Sequence, residues 1–271
     1  MKSNFWQRTI TAVFFATGVV TLSVINGFTF SLLMLMVNFF CLLEFYELVL
    51  PDKRWIEKYL GIIAGSIIYI MFALIITNDL SLAWYYHIIP VFLAMFIIKL
   101  FEKTHNEFST LAFQVLGIVY ITLPLVMLTK LGYLNSLSYS PALTLGFILL
   151  LWTCDTGAYL AGRNFGKHKL FERVSPKKTW EGSIGALILV LFVSFALSKV
   201  WDDLSTMHWI VSGIIILVFS TFGDLFESLL KRNLHIKDSG SILPGHGGVL
   251  DRFDGLFIAV PAWFFYLLMT N

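Results

Sequence analysis

The chain has 271 residues, 58% of them hydrophobic and 13% charged, with a formal net charge of +2. A soluble domain carries about a quarter charged residues, and this much apolar side chain exceeds what one core in water could cover. The composition therefore excludes a water-soluble globular domain, and so small a net charge gives no electrostatic footprint for nucleic acid.

A spanning helix needs about 20 mostly apolar residues. Segments 9–25, 27–48, 58–77, 80–99, 108–129, 141–161, 183–200, 207–225 and 255–270 meet that requirement loosely. Backbone groups in lipid must be satisfied within the segment, so these segments are expected to be helices. Lys2 and Arg8 precede the first of them. Residues 9–25 lack a polar stretch with a small-residue cleavage site, which reads as an uncleaved first helix. Asn26-Gly27 and Asn78-Asp79 mark tight turns. Pro51-Asp52-Lys53-Arg54 closes the second span, and Ser140-Pro141 opens the sixth. Cys41 and Cys154 lie inside apolar runs, where buried free thiols are expected rather than a disulfide or zinc site.

The positive charges set the topology. Taking the polar stretches alternately, all 19 Lys and Arg residues except Lys130 and Lys199 fall in one set. That set comprises the N-terminus and the stretches after spans two, four, six and eight. The expected fold is all-α: a polytopic membrane protein of about nine transmembrane helices with its N-terminus cytoplasmic and its C-terminus on the far side. Trp84-Tyr85-Tyr86, Trp201 and Trp209 fall near the expected interfaces, as aromatic belts do. Residues 1–140 form an N-terminal group of helices. Residues 141–271 form a C-terminal group carrying two long cytoplasmic loops, 162–182 and 226–254. Glu44 and Glu47, near the cytoplasmic end of the second span, read as snorkelling acids with a contribution to a polar site left open.

The second long loop holds the parts for phosphate chemistry. Asp224 sits at the edge of an apolar span, where a carboxylate costs about 2–3 kcal/mol if deeply placed and marks a functional site by default. Beyond it come Asp238, Asp251 and Asp254, set among Lys231, Arg232, Lys237 and Arg252, with Pro244-Gly245-His246-Gly247-Gly248 between. Hard carboxylate oxygens suit Mg²⁺ or Mn²⁺, which bind through a few carboxylates plus substrate phosphates. Lysine and arginine hold those phosphates, and glycines let backbone N–H groups approach oxyanions. A helix beginning at Asp251 would place Asp251 and Asp254 on one face. His246 reads either as a phosphate contact or general acid, or as a structural turn residue.

The first long loop starts inside the sixth span. Asp155-Thr156-Gly157-Ala158-Tyr159 interrupts an apolar helix, and Arg163 follows. Ser175-Pro176-Lys177-Lys178-Thr179-Trp180-Glu181-Gly182 then reads as the start of the seventh helix, with Ser175 as cap and Pro176 in the first turn. A helix N-terminus beside lysines is an anion site; a polybasic segment drawn to anionic lipid is the other reading.

The stretch Ser228–Asp254 resembles the signature of the phosphatidate cytidylyltransferase (CDP-diacylglycerol synthase) family. The similarity lies in Ser228-x-x-Lys231-Arg232, Lys237-Asp238, the glycine-rich turn and Asp251-Arg252-Phe253-Asp254. Ser175–Gly182 and Asp155–Tyr159 are similar to the family as well, whereas the first 140 residues match only in hydropathy and span number. The resemblance implies CMP transfer from CTP to phosphatidate, giving CDP-diacylglycerol and pyrophosphate in phospholipid biosynthesis. It also implies a divalent cation, a homodimer and a site facing the cytoplasm from the cell's inner membrane. On this reading Asp224, Asp251, Asp254 and Asp238 bind metal or orient its ligands, and Lys231, Arg232, Lys237 and Arg252 bind phosphates. Ser175, Lys177, Lys178 and Thr179 grip a substrate phosphate, with Glu181, Asp155 and Arg163 alongside. Three rivals are another nucleotide-dependent transferase of similar site physics, such as a CTP-dependent polyprenol kinase or a synthase acting on a different lipid phosphate; a structural membrane protein whose charges only set topology, which four aspartates in one loop argue against; and a transporter using Asp155 and Asp224. The transporter is disfavoured by the lack of an inverted repeat in the sequence.

Overall fold

The computed structural model describes residues 2–50, 55–101, 107–240, 242 and 247–270. Eleven α-helices, a short 3-10 helix at Leu82–His87, one π-helical turn and two short strands follow one another among these residues. They are α1 (Lys2–Ile25), α2 (Gly27–Val49), α3 (Trp55–Thr77), α4 (Ile88–Phe101), α5 (Glu107–Gly117), α6 (Leu123–Leu131) and α7 (Pro141–Phe165). After these come β1 (Lys169–Phe171), β2 (Ser175–Thr179), α8 (Trp180–Val200), α9 (Thr206–Asn233), α10 (Leu250–Phe253) and α11 (Leu256–Thr270). Among the described residues 8 stretches are long and apolar enough to cross a membrane, close to the expected nine. The first expected span is helical, but its described apolar part, Val13–Ile25, is shorter. The chain is a multi-pass membrane protein.

The chain divides into two compact units, 1–140 with 238–252, and 141–237 with 253–271. In the first unit Asn26 caps α2: its side chain accepts from the Thr29 N–H at 2.8 Å, and the Thr29 hydroxyl accepts from the Asn26 N–H. α5 and α6 are joined by a π-helical turn, Ile118–Thr122. Pro124, at the start of α6, has no N–H to offer the preceding turn, which explains the irregularity there. Several polar groups inside this unit find partners, as a bilayer favours. The Tyr46 hydroxyl donates to the Gln114 carbonyl at 2.7 Å, Tyr69 meets Thr129 at 2.8 Å, and Thr122 donates to Asn38 at 2.8 Å. The Tyr46 ring fits because Gly61 and Gly117 carry no Cβ; one added at either would lie 2.6 Å from a Tyr46 atom.

In the second unit α7 and α8 pack along a seam of small residues. A Cβ on Gly157 would lie 2.7 Å from the Ala186 Cα, and one on Gly185 would overlap Ala161. Trp209, Trp263 and Phe147 fill the core beside α9 and α11. Between α7 and α8 the chain forms a two-stranded antiparallel hairpin, pairing Lys169 with Thr179 and Phe171 with Ser175.

Three sequence expectations are corrected here. Ser175 does not cap a helix and Pro176 is not in a first helical turn, because both lie on β2. The cap is Thr179, whose hydroxyl accepts the Gly182 N–H at 3.2 Å. The loop expected to begin at 226 begins after Asn233, since α9 carries Glu227, Ser228, Lys231 and Arg232 as helix. No single helix carries Asp251 and Asp254 together: Asp251 is on α10, and Asp254 lies in the turn before α11.

Candidate active site

In the first unit the segment around the glycine-rich turn is built on two carboxylates. Glu44, on α2, is fully buried. Its Oε1 accepts the Val249 N–H at 2.9 Å, and its Oε2 accepts the Leu250 N–H at 2.8 Å and the Ser239 hydroxyl at 3.0 Å. Asp251 Oδ2 accepts the N–H groups of Ser239 and Gly248, each at 3.0 Å. Gly247 has φ +84, a backbone conformation that suits glycine, and a Cβ there would lie 3.0 Å from Asp251 Oδ2 and 3.9 Å from the Asp238 Cβ. Asp238, Gly247 and Asp251 are thereby brought together. Arg252 is exposed on α10. His246 lies outside the described residues.

In the second unit Lys178, on β2, reaches Asp224, on α9: Nζ and Oδ2 are 2.6 Å apart. Asp224 Oδ1 accepts from the Ser228 hydroxyl one turn on, at 3.2 Å. Lys178 also donates to the Thr221 carbonyl at 3.5 Å. Asp254 lies close enough to Asp224, Asp155 and Lys231 to feel their charges, and its Oδ1 accepts the Gly255 N–H at 2.6 Å. This approach depends on Gly223, where a Cβ would stand 2.6 Å from the Asp254 carbonyl oxygen and 2.9 Å from the Gly255 Cα. Lys231 pairs with the fully buried Glu227 at 3.1 Å. Four acids and two lysines are thus linked in this unit.

Glu181, in the first turn of α8, accepts the N–H groups of Lys167 and His168 at 3.1–3.2 Å and His168 Nδ1 at 2.6 Å. It therefore fastens the start of the hairpin, beside an open cavity of about 760 Å³ lined by Lys167, His168, Lys169, Glu172, Trp180 and Ile184. Thr179 is the buried helix cap, Ser175 is half-buried, and Lys177 is exposed on β2. Arg163 is exposed, its Nη1 3.2 Å from the Tyr159 hydroxyl. Arg232, Lys237 and Asp238 are exposed.

The sequence gives no specific role to Ser239, Glu227 or His168, and for Glu44 it favours snorkelling with a contribution to a polar site left open. For Glu44 a signal existed: an acid inside an apolar run is expensive unless paired. Its partners lie 195–206 positions along the chain, where no local pattern points.

The donor set bears on the expected divalent cation. Among the described residues no three His, Cys, Asp or Glu side chains gather as a metal-holding group. Asp224 and Asp254 nevertheless offer oxygen ligands at one place. That suits a small hard ion that keeps several waters and takes substrate phosphates, and does not suit an ion caged wholly by protein. Any cation at Asp224 has to share its carboxylate with Lys178.

Acids and lysines gathered in this way on the helices of a polytopic protein make a donor set suited to phosphates. The profile of the Cytidylyltransferase family matches residues 6–270, and the chain belongs to that family. It is similar to a phosphatidate cytidylyltransferase of Haemophilus influenzae, 38% identical over 169 residues, covering 60% of this chain and 56% of the relative. A Staphylococcus aureus protein of the same name is 39% identical over 164 residues, 59% of this chain and 60% of its own. One from Staphylococcus saprophyticus is 36% identical over 188 residues, 68% of each. The chain thus spans less than two thirds of the first two relatives.

Proposed function

We propose that this protein is a phosphatidate cytidylyltransferase, a nucleotidyltransferase that moves CMP from CTP to phosphatidate and releases pyrophosphate. The observation that carries this reading is the Lys178–Asp224 pair beside Asp254, within a chain of the cytidylyltransferase family. The relatives named above carry that name, which supports the same substrates here.

The reaction is an in-line displacement. A phosphatidate oxygen attacks the α-phosphorus of CTP, a new P–O bond forms, and the bond to pyrophosphate breaks. The nucleophile is already an ionised phosphate near neutral pH, so no side chain need act as base. Catalysis is then mostly positioning and charge stabilisation. Lys178 and Lys231 offset the charge on the phosphates, with Arg232, Lys237, Arg252 and Lys177 as further contacts from the polar surface. Thr179 and Ser175 fix the strand that carries Lys178, and Glu181 fixes the start of its hairpin. Asp224 and Asp254 would hold a Mg²⁺ or Mn²⁺ ion, with Asp238 and Asp251 as further candidate ligands and Asp155 supplying field. Such an ion would lower the charge on the reacting phosphates. His246 keeps its two readings.

The one-sided distribution of Lys and Arg supports a site facing the cytoplasm, where CTP is, and the bacterial relatives support the inner membrane. The family resemblance supports a homodimer, which light scattering in detergent would size. The test of function is label transfer from radiolabelled CTP by purified protein, with phosphatidate present or absent and Mg²⁺ or EDTA added. Label entering the lipid phase only with phosphatidate and Mg²⁺ is the expected result. Label absent from lipid under every condition, with the protein folded, refutes the assignment. Label from CTP marked at its γ-phosphate entering polyprenol phosphate, when polyprenol replaces phosphatidate, favours the kinase.

A further inference from the structure

We propose that Glu44 is a positioning residue for the transfer reaction, holding Ser239, Val249 and Leu250 in their working positions from a helix nearly two hundred residues upstream. Its three hydrogen bonds do not fall on one place in the chain. One goes to Ser239, before the glycine-rich turn, and two go to Val249 and Leu250, after it. The carboxylate ties the two ends of that segment together. Asp251 makes a parallel tie, joining Ser239 to Gly248 through their N–H groups. Where Asp251 sits is therefore set by the backbone that Glu44 grips.

The glycines agree with this. A Cβ on Gly240 would stand 2.6 Å from Glu44 Oε1, and one on Gly248 would overlap Glu44 Oε2 and the Ser239 Oγ. These two positions lack a side chain because the carboxylate occupies the space. A snorkelling acid would have its oxygens in water, whereas Glu44 is fully buried. A buried carboxylate persists only when hydrogen-bonded throughout, and two backbone N–H groups and a hydroxyl supply those bonds. Glutamine has the same shape, but one of its terminal atoms is an NH₂ group. Placed at Glu44, that group would face the backbone N–H of Val249 or of Leu250 in either orientation, donor against donor, and the segment would have to move. A displacement of about 1 Å at a catalytic group costs about 100-fold in rate.

The activity arm of the test rests on the cytidylyltransferase reading; the exchange arm does not. Full-length wild type, Glu44→Gln, Ser239→Ala and the double variant are purified in detergent. For each, kcat and KM for CTP are measured, together with amide hydrogen exchange over 239–251 and over α3. Expected for Glu44→Gln is a kcat lower by about 30–100-fold with KM changed by under about threefold. Exchange should rise at Val249 and Leu250 and stay unchanged in α3. Ser239→Ala should cost less and add nothing further in the Glu44→Gln background, as residues acting through one contact do. A folded Glu44→Gln with kcat within about twofold of wild type overturns the proposal, as does exchange rising equally throughout α3. If Glu44→Gln does not fold, Ser239→Ala decides: unchanged kcat and unchanged exchange at Val249 and Leu250 overturn it. A wild type without turnover refutes the functional reading, and the exchange data still decide whether Glu44 holds the segment.

Discussion

Replacing Lys178 by methionine separates the two things the Lys178–Asp224 pair can do. Methionine keeps most of the apolar stem and removes the charge. The pair is short, at 2.6 Å, but its side chains are 23% and 36% exposed. A pair this wet behaves more like a surface ion pair than a buried one, so its loss should cost about 1 kcal/mol of stability. For a chain of this size that is a fall of about 2–4 °C in Tm. Removing one group that stabilises transition-state charge costs far more, about 10²–10³ in kcat. Lys178→Met should therefore lose about 10²–10³ in turnover while melting nearly where wild type does. The assay is label transfer from CTP to phosphatidate, run beside a thermal melt of the same preparation. A kcat within about threefold of wild type would refute the phosphate role, given what such donors contribute elsewhere. So would a loss of activity that merely follows the fraction unfolded.

Three further outcomes are expected. Gly223→Ala pushes a methyl group against the Asp254 carbonyl and the Gly255 Cα, both backbone atoms that cannot swing aside. It should lose at least about tenfold in kcat and about 1–3 kcal/mol in stability, read by turnover and by chemical denaturation. Asp251→Asn exchanges a carboxylate that accepts two N–H groups for an amide, and should abolish turnover while leaving the far-UV circular dichroism unchanged. Survival of near wild-type activity would remove Asp251 from the site. EDTA should stop transfer and added Mg²⁺ restore it, with the helix content constant throughout, because the fold rests on helix packing rather than on a metal.

The helices were legible because lipid imposes one rule on every span, and hydropathy reports it directly. What escaped the sequence reading lies where that rule lapses. Ser175-Pro176-Lys177-Lys178-Thr179 contains a good cap residue followed by proline, which locally favours a helix start. It became a strand because residues 169–171 lie within reach to pair with it, and the Trp180 N–H then closes on the His168 carbonyl at 3.0 Å. Polar residues after 225 read as loop, yet Glu227 and Lys231 are one helical turn apart and pair, which carries α9 onward. Among the candidate site residues, Lys178, Asp224, Asp254, Asp155 and Lys231 came together as a group, because each borders an apolar run that fixes its depth. Glu44 escaped because its role is defined by distant partners.

Those distances have a consequence in time. A chain emerges from the ribosome at about 5–20 residues per second, so Glu44 is synthesised about 10–40 s before the groups it will accept. Through that interval the second span sits in the membrane with an acid lacking its final ligands. An earlier shelter, in interfacial water or beside the insertion machinery, has to be given up when residues 239–250 arrive. A segment made about two hundred residues later is thus what lets the helix carrying Glu44 settle. A ribosome stalled shortly before codon 239 should leave a nascent protein whose second helix is still open to aqueous labelling at position 44, and whose release by further synthesis closes it.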